Sequence, residues 1–273
     1  MSLVVNSNIA GLNSTRVLGI VDRQQSTSIE RLSSGLRINR AADDAASLGI
    51  AEGLRTQIGG FRVALRNSQD GISVLQTAEG ALTETHSLLH RMRDLAVQAA
   101  NTGGLDDAAR ANVQTEIGQL RAELDRIAKT TSFNGRQLLD GSYRGTFQVG
   151  ADAGHTISVG FGPAMSAAGL GVAGVDVTAP AGTATALAAI DAAIGQVSTA
   201  RADLGAAQNR FEHNIAKVGV ALDNTAASES RIRDADIASE MTTMSRTSIL
   251  TQAGTAMAAQ ANQSPRGVLQ LLR

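Results

Sequence analysis

The chain has 273 residues with 24 basic and 25 acidic side chains, no cysteine and no tryptophan, and only one tyrosine and five phenylalanines as aromatics. A net charge of −1 gives no bulk attraction to nucleic acid, and the lack of cysteine excludes a disulfide framework, a Cys-ligated zinc site and a thiol nucleophile. With so few rings, Ala, Leu, Ile, Val and Met must fill the interior, which suits thin helical bundles with close-packed axes.

The first segment, residues 1–40, is helix-permissive, with apolar positions at Leu18, Val21, Ile29, Leu32 and Leu36. It holds five arginines against Asp22 and Glu30, and is laced with Ser, Thr, Asn and Gln. Asn6, Asn8, Asn13 and Ser14 interrupt any apolar run and no basic leader precedes them, so no secretory signal is expected there. No stretch of the chain approaches the roughly 20 apolar residues of a membrane span.

Residues 44–100 carry Ile58, Phe61, Leu65, Ile72, Leu75, Leu82 and Leu89 at mostly helical intervals, and Asn101 to Gly104 then break the chain. Val113, Ile117, Leu120, Leu124 and Ile127 predict a second helix over about 106–130, with Asp106 and Asp107 at its positive end. The reading is long helix, tight turn, antiparallel helix.

Phe133-Asn134-Gly135 is a turn signal. Residues 146–149 and 156–159 read as two short strands joined through Gly150–Gly154, a hairpin. Residues 170–178 are a candidate further strand. Of the three prolines, Pro163 and Pro180 fall in this Gly-, Thr- and Val-rich stretch, and none lies in 1–162 or 181–264. Both flanking regions are therefore free to be helical.

Ile190, Val197, Leu204, Phe211 and Val218 recur every seven residues, with Ile194, Arg201, Gln208, Ile215 and Leu222 as the companion row. They predict a helix over about 183–226, roughly 65 Å long at 1.5 Å per residue. Arg201 and Gln208 dilute the seam, so more than two helices share it. The last segment, 231–273, again has five arginines, here against Asp234, Asp236 and Glu240, with apolar positions at Ile237, Met241, Met244, Leu250 and Met257. Either end alone buries too little apolar surface to offset its ordering entropy, so the ends are expected to order only with partners. The fold class is mainly α: a long antiparallel helical bundle or coiled coil with a small β-hairpin region between its helical halves.

Long, ordered motifs at both ends resemble one family, the bacterial flagellins. Leu32 to Asn39 followed by Ala42 to Ala46, Asn67 to Ser73, Thr77 to Leu82, Arg91 to Asn101 and Phe133 to Gly135 are similar to its N-terminal region. Ser230 to Asp236, Gln252 to Gly254, Ala259 to Gln263 and Val268 to Arg273 resemble its C-terminal region. The resemblance covers about residues 1–140 and 183–273. It implies an inner terminal-helix domain of 1–40 with 231–273, a link near 34–46, and an outer helical domain of 41–140 with 183–230. Residues 141–182 would be a short hairpin and loop region of the outer domain. With only these between the helical halves, the chain resembles a short form lacking the variable outer domains.

The function implied is structural: copies polymerise into the extracellular helical filament that drives swimming. Leu18, Val21, Ile29, Leu32, Leu36, Met241, Met244, Leu250, Met257, Leu269, Leu271 and Leu272 are the expected inner-core assembly residues. The resemblance also implies the flagellar export apparatus and its chaperone, the filament cap and hook-associated proteins as partners. A vertebrate Toll-like receptor would read Arg91, Leu95 and Glu116. A hook–filament junction protein is the nearest alternative, and a cytoplasmic coiled-coil signalling or chaperone protein is the alternative from another class.

Chemistry is not expected. Gly169 to Gly174 fits GxGxxG, but Val175 to Pro180 follows where the dinucleotide fingerprint needs a helix. His86 and His90 lie four apart on a helix, without a glutamate after His86 or an evident third ligand. No Ser or carboxylate pair has a catalytic context, no cofactor or metal is expected, and the arginines of the ends lack the aromatic interleaving of a nucleic-acid surface.

Overall fold

The computed structural model describes residues 7–101 and 103–271, with side chains as far as Gln263. Among them are five helices: α1 Ile9–Ser34, α2 Ala45–Ala99, α3 Asp107–Thr130, α4 Pro180–Arg233 and α5 Ile237–Leu271. Between α3 and α4 lie β1 Ser132–Phe133, β2 Arg136–Gln137, β3 Arg144–Gln148 and β4 Thr156–Gly160, paired antiparallel as β1–β2 and β3–β4. This is the predicted mainly α fold with a small β region. The chain divides into two compact units, one of residues 1–56 with 224–273 and one of 57–223.

The 57–223 unit is built on heptads. From Ala64 to Ala99, α2 turns a residue inward at alternating intervals of four and three, through Ser68, Leu75, Leu82, Leu89 and Met92. That spacing keeps one stripe facing its neighbours over five heptads. The predicted row Ile190, Val197, Leu204, Phe211 and Val218 of α4 is buried throughout. The companion row is only half-buried. Its Arg201 is explained by Glu79 of α2, whose Oε1 accepts from Nε at 2.9 Å and Nη2 at 2.7 Å. The helix itself exceeds the predicted 183–226. Pro180 opens it, at a position where a missing N–H costs nothing.

The β3–β4 hairpin pairs Arg144 with Gly160 through Gln148 with Thr156. Asn67 and Asn214 donate to the Gln148 and Val149 carbonyls, each at 2.9 Å, and so fasten the hairpin to α2 and α4. Phe147 meets Phe211 edge to face, with ring centroids 5.4 Å apart. Phe211 fits because α2 presents Gly71 beneath it: a Cβ there would lie 2.6 Å from the ring's Cζ.

Residues 170–178 do not form the candidate strand. Leu170, Val172, Val175 and Val177 are buried in near alternation, which is why the segment reads as one. Its backbone is satisfied by α3 instead of a ladder. Gln114 accepts from the Val177 N–H at 3.0 Å and donates to the Val175 carbonyl at 3.1 Å.

Gly71→Ala should lower unfolding stability by about 1–3 kcal/mol through overpacking against Phe211. Gly80→Ala, with open space at its Cβ, should stabilise the helix by up to about 1 kcal/mol. Equal denaturant midpoints for the two variants would contradict the assigned packing.

Candidate assembly site

In the unit of residues 1–56 with 224–273, α1 and α5 pack antiparallel. Their seam has heptad spacing, yet large apolar residues do not fill it. On α1 it runs through Gly11, Ser14, Leu18, Val21, Gln25, Ser28 and Leu32, and on α5 through Glu240, Met244, Thr247, Thr251, Gly254, Ala258 and Ala261, all buried or half-buried. Polar contacts occur at three levels. Asn8, the N-cap of α1, donates to the Ala261 carbonyl at 3.0 Å. Thr251 Oγ1 donates to Gln25 Oε1 at 3.3 Å, and Arg31 Nη1 lies 3.7 Å from Glu240 Oε2. Gly254 lets the axes approach, since a Cβ there would stand 3.1 Å from Leu18 Cδ1.

Most large apolar side chains of the pair point away from this seam. Of fourteen exposed large hydrophobic residues among those described, only Val63, Val97 and Val220 lie in the 57–223 unit. The other eleven lie in the terminal unit and include Ile9, Leu12, Ile29, Ile249 and Met257. Among the residues singled out from sequence, Leu18, Val21, Leu32 and Met244 are in the intrachain seam and Leu36 is half-buried beyond it. Ile29, Met241, Leu250 and Met257 are 51, 47, 46 and 63% exposed. The backbones of Leu269 and Leu271 continue α5. Their side chains, and all of Leu272, lie outside the described residues.

A polar link follows α1. Gly35, left-handed at φ 73°, ends the helix. Leu36 then bridges antiparallel to Asp234, with Arg37 N–H donating to Arg233 O at 2.7 Å and Ala235 N–H to Gly35 O at 2.9 Å. One Asp43 oxygen accepts from the backbone N–H groups of Asn39 and Arg40, at 3.0 and 2.9 Å. Asp44 accepts the Ser47 hydroxyl at 2.6 Å and its N–H at 3.0 Å, opening α2. The Arg40 and then the Asn39 backbone bonds hold the Asp43 carboxyl below its usual 3.8, and the Ser47 side chain and then its backbone do so for Asp44.

The 57–223 unit places Arg91 and Glu116 together across α2 and α3, with Nη2 and Oε1 2.7 Å apart. Leu95 is not beside them on the surface: it is 2% exposed and belongs to the core. His86 and His90 bring their Nε2 atoms within 2.9 Å. Desolvation, then the charges of His90 and Arg201, lower the pKa of His86. No group of three or more potential metal ligands occurs among the described residues, and no described helix is long and apolar enough to cross a membrane. Residues 169–174 enter the buried turns before α4, with Leu170 and Val172 in the core.

The relatives of the chain decide among the readings that its geometry leaves open. Residues 5–144 match the bacterial flagellin N-terminal helical region, and 187–272 match the C-terminal helical region. The chain belongs to the bacterial flagellin family. It is 46% identical to a flagellin of Bacillus subtilis over 98% of this chain and 99% of that one. It is 48% identical to a flagellin of Halalkalibacterium halodurans over 99% of this chain and 100% of that one. That alignment spans 273 residues, so the short form is shared. A Bacillus cereus flagellin structure superposes with TM-score 0.51 and 32% identity, covering 56% of this chain and 88% of that one. This flagellin is a structural subunit of the flagellar filament, a homopolymer located outside the cell that serves swimming motility. The junction-protein and cytoplasmic coiled-coil alternatives give way to it.

The link depends on ionised carboxylates, so its sign with pH is fixed. Because folding depresses both pKa values, the contribution is complete above 3.8 and is lost as pH falls through the lowered values. The protection of the Asn39, Arg40 and Ser47 amides, relative to the intrinsic exchange rate at each pH, should fall on acidification below 3.8, and Asp43→Ala should lower that of the first two at neutral pH. Unchanged protection in Asp43→Ala would rule out this role.

Proposed function

We propose that the terminal unit is the inner domain of the filament subunit and the 57–223 unit its outer domain, with assembly driven by burial of the terminal apolar side chains between copies. The observation that carries this reading is the concentration of eleven exposed large hydrophobic residues on the terminal unit. Fully burying one such side chain contributes about 1.5–3 kcal/mol, so covering even half of this surface supplies on the order of 10 kcal/mol per subunit. An open head-to-tail polymer repeats that burial at every step.

The same surface argues that the ends are disordered in the free chain. Ordering a residue costs about 1–2 kcal/mol of backbone entropy, and a seam of Gly, Ala, Ser and Thr returns little of it. Chains in that state suit export by the type III apparatus after release from a chaperone, and subsequent folding at the filament tip beneath the cap, above the hook-associated proteins. Secretion therefore precedes ordering. The role is structural, without a catalytic step.

Detached monomer is also a ligand for a vertebrate Toll-like receptor. The paired Arg91 and Glu116 side chains offer the contact, and Leu95 supports α2 from beneath. Arg91→Ala with Glu116→Ala should weaken receptor binding without altering the fold. Leu95→Ala should destabilise the unit itself by about 2–5 kcal/mol. Receptor activation unchanged by the double substitution would remove the pair from this role.

Purified chain should sediment as long fibres after seeding, and a chain lacking residues 231–273 should not. In fibres the amides of α1 and α5 should gain strong exchange protection that the free chain lacks. Fibres formed by the truncated chain, or full protection of both ends in dilute monomer, would refute the proposal.

A further inference from the structure

The seam between α1 and α5 opens on one side into a polar groove of about 480 Å³. Its walls carry three guanidinium groups, those of Arg23, Arg31 and Arg246. Ser28 and Thr247, each 2% exposed, are its most buried lining residues. The single acid in the lining is Glu240, which faces Arg31 across 3.7 Å. Arg23 and Arg246 have no ion pair among the described residues, and the Nε of Arg31 is buried without a hydrogen-bond partner. Ile20 and Leu250, 37 and 46% exposed, add apolar surface to the lining. Excess positive charge, an unpartnered buried donor and adjacent desolvating side chains together describe a receptor for a carboxylate.

The same helices hold one carboxylate without a partner. Glu30 pairs with Arg40 at 2.8 Å, Glu240 faces Arg31, and Asp236 caps α5 by accepting from Ala238 and Ser239 N–H. Asp22 is exposed and has no such contact among the described residues. At about 100° per residue, Asp22 lies on the far face of α1 from Arg31 and Gln24. Ile29, two turns along on that far face, is 51% exposed. Asp22 and the Arg31 side of the groove therefore sit on opposite flanks of α1, with Arg23 about 100° from Asp22 between them, so the carboxylate cannot reach across its own groove but can enter that of the next copy. That is the geometry of a heterologous, propagating contact.

We propose that the Arg23–Arg31–Arg246 groove receives the Asp22 carboxylate of a second copy of this chain. The pair would select the register in which one copy's Ile29 packs beside the next copy's Ile20 and Leu250. The proposal rests on the filament reading and assigns one of its contacts.

The test is the critical concentration for polymerisation, read by sedimentation. It uses the full chain and the variants Asp22→Arg, Arg246→Asp and the two combined. Each single reversal creates a like-charge contact and should raise the critical concentration about tenfold or more. The combined variant restores one opposite-charge pair, with Arg23 and Arg31 still present, and should polymerise at a lower critical concentration than either single reversal. Recovery also shows that the variants fold. Wild-type behaviour of Asp22→Arg, or a combined variant as poor as the two defects multiplied, would overturn the contact. Were the groove instead a site for free oxyanions, inorganic phosphate would raise the thermal midpoint of the assembled fibres through Arg246 while Asp22→Arg polymerised normally, which also overturns it. A parent chain that forms no fibres would defeat the filament reading itself, an outcome distinct from fibres indifferent to Asp22.

Discussion

The antiparallel contact of α1 with α5 is the interaction on which the proposed assembly depends, and many of its side chains are small or polar. Gly11, Ser28, Thr247 and Gly254 occupy places where a stable coiled coil would put leucine or isoleucine. Close approach of two such faces gives register, through Asn8, Gln25 and Arg31, but little hydrophobic stabilisation. The large apolar residues are consequently free to face outward. A leucine-filled seam would make a self-sufficient helix pair and leave less need for neighbours.

The 57–223 unit solves the opposite problem. Its heptad rows turn Leu75, Leu82, Leu89, Ile190, Val197 and Phe211 inward, so it holds its own core. The hairpin is locked to both long helices by Asn67, Asn214 and the Phe147–Phe211 contact. One chain thus combines a unit that holds its own core with a terminal unit whose favourable burial, in the proposed assembly, is supplied by neighbouring copies. In the terminal part, the link of Asp43, Asp44 and the Leu36–Asp234 bridge contributes directional polar contacts where apolar ones are few.

Sequence periodicity was legible where burial follows hydrophobicity. The row from Ile190 to Val218 appears in the structure as read, and α3 keeps its predicted face at Val113, Ile117 and Leu124. It failed where other forces choose the face. In the first half of α2 the buried stripe passes through Ala64, Ser68 and Gly71, because the hairpin and Phe211 need room, and Phe61 and Leu65 are left half-buried. At 170–178 alternating burial mimicked a strand, although Gln114 supplies the backbone partners. In α5 the apolar positions Met241, Leu250 and Met257 marked the outward face, and the inward one had to be sought in Thr and Gly at spacings of three and four. Leu95 shows the same limit from the other side: a motif match located the residue but not its direction.

A seam that orients without greatly stabilising also explains why charge is distributed as it is around the pair. Each end carries more arginine than acid, and a chain that paired all of these internally would strengthen the monomer. Instead, among the described residues, Arg23 and Arg246 have no ion pair, Arg31 is only partly paired, and Asp22 has no side-chain partner. Apolar burial between copies is nondirectional and would tolerate a rotation or a slip of one turn. A helical polymer cannot, because an error in one contact is propagated by every later subunit. In the proposed contact, directional groups without an internal partner supply the discrimination that hydrophobic burial lacks, and their low worth in water keeps free chains from committing to the wrong partner.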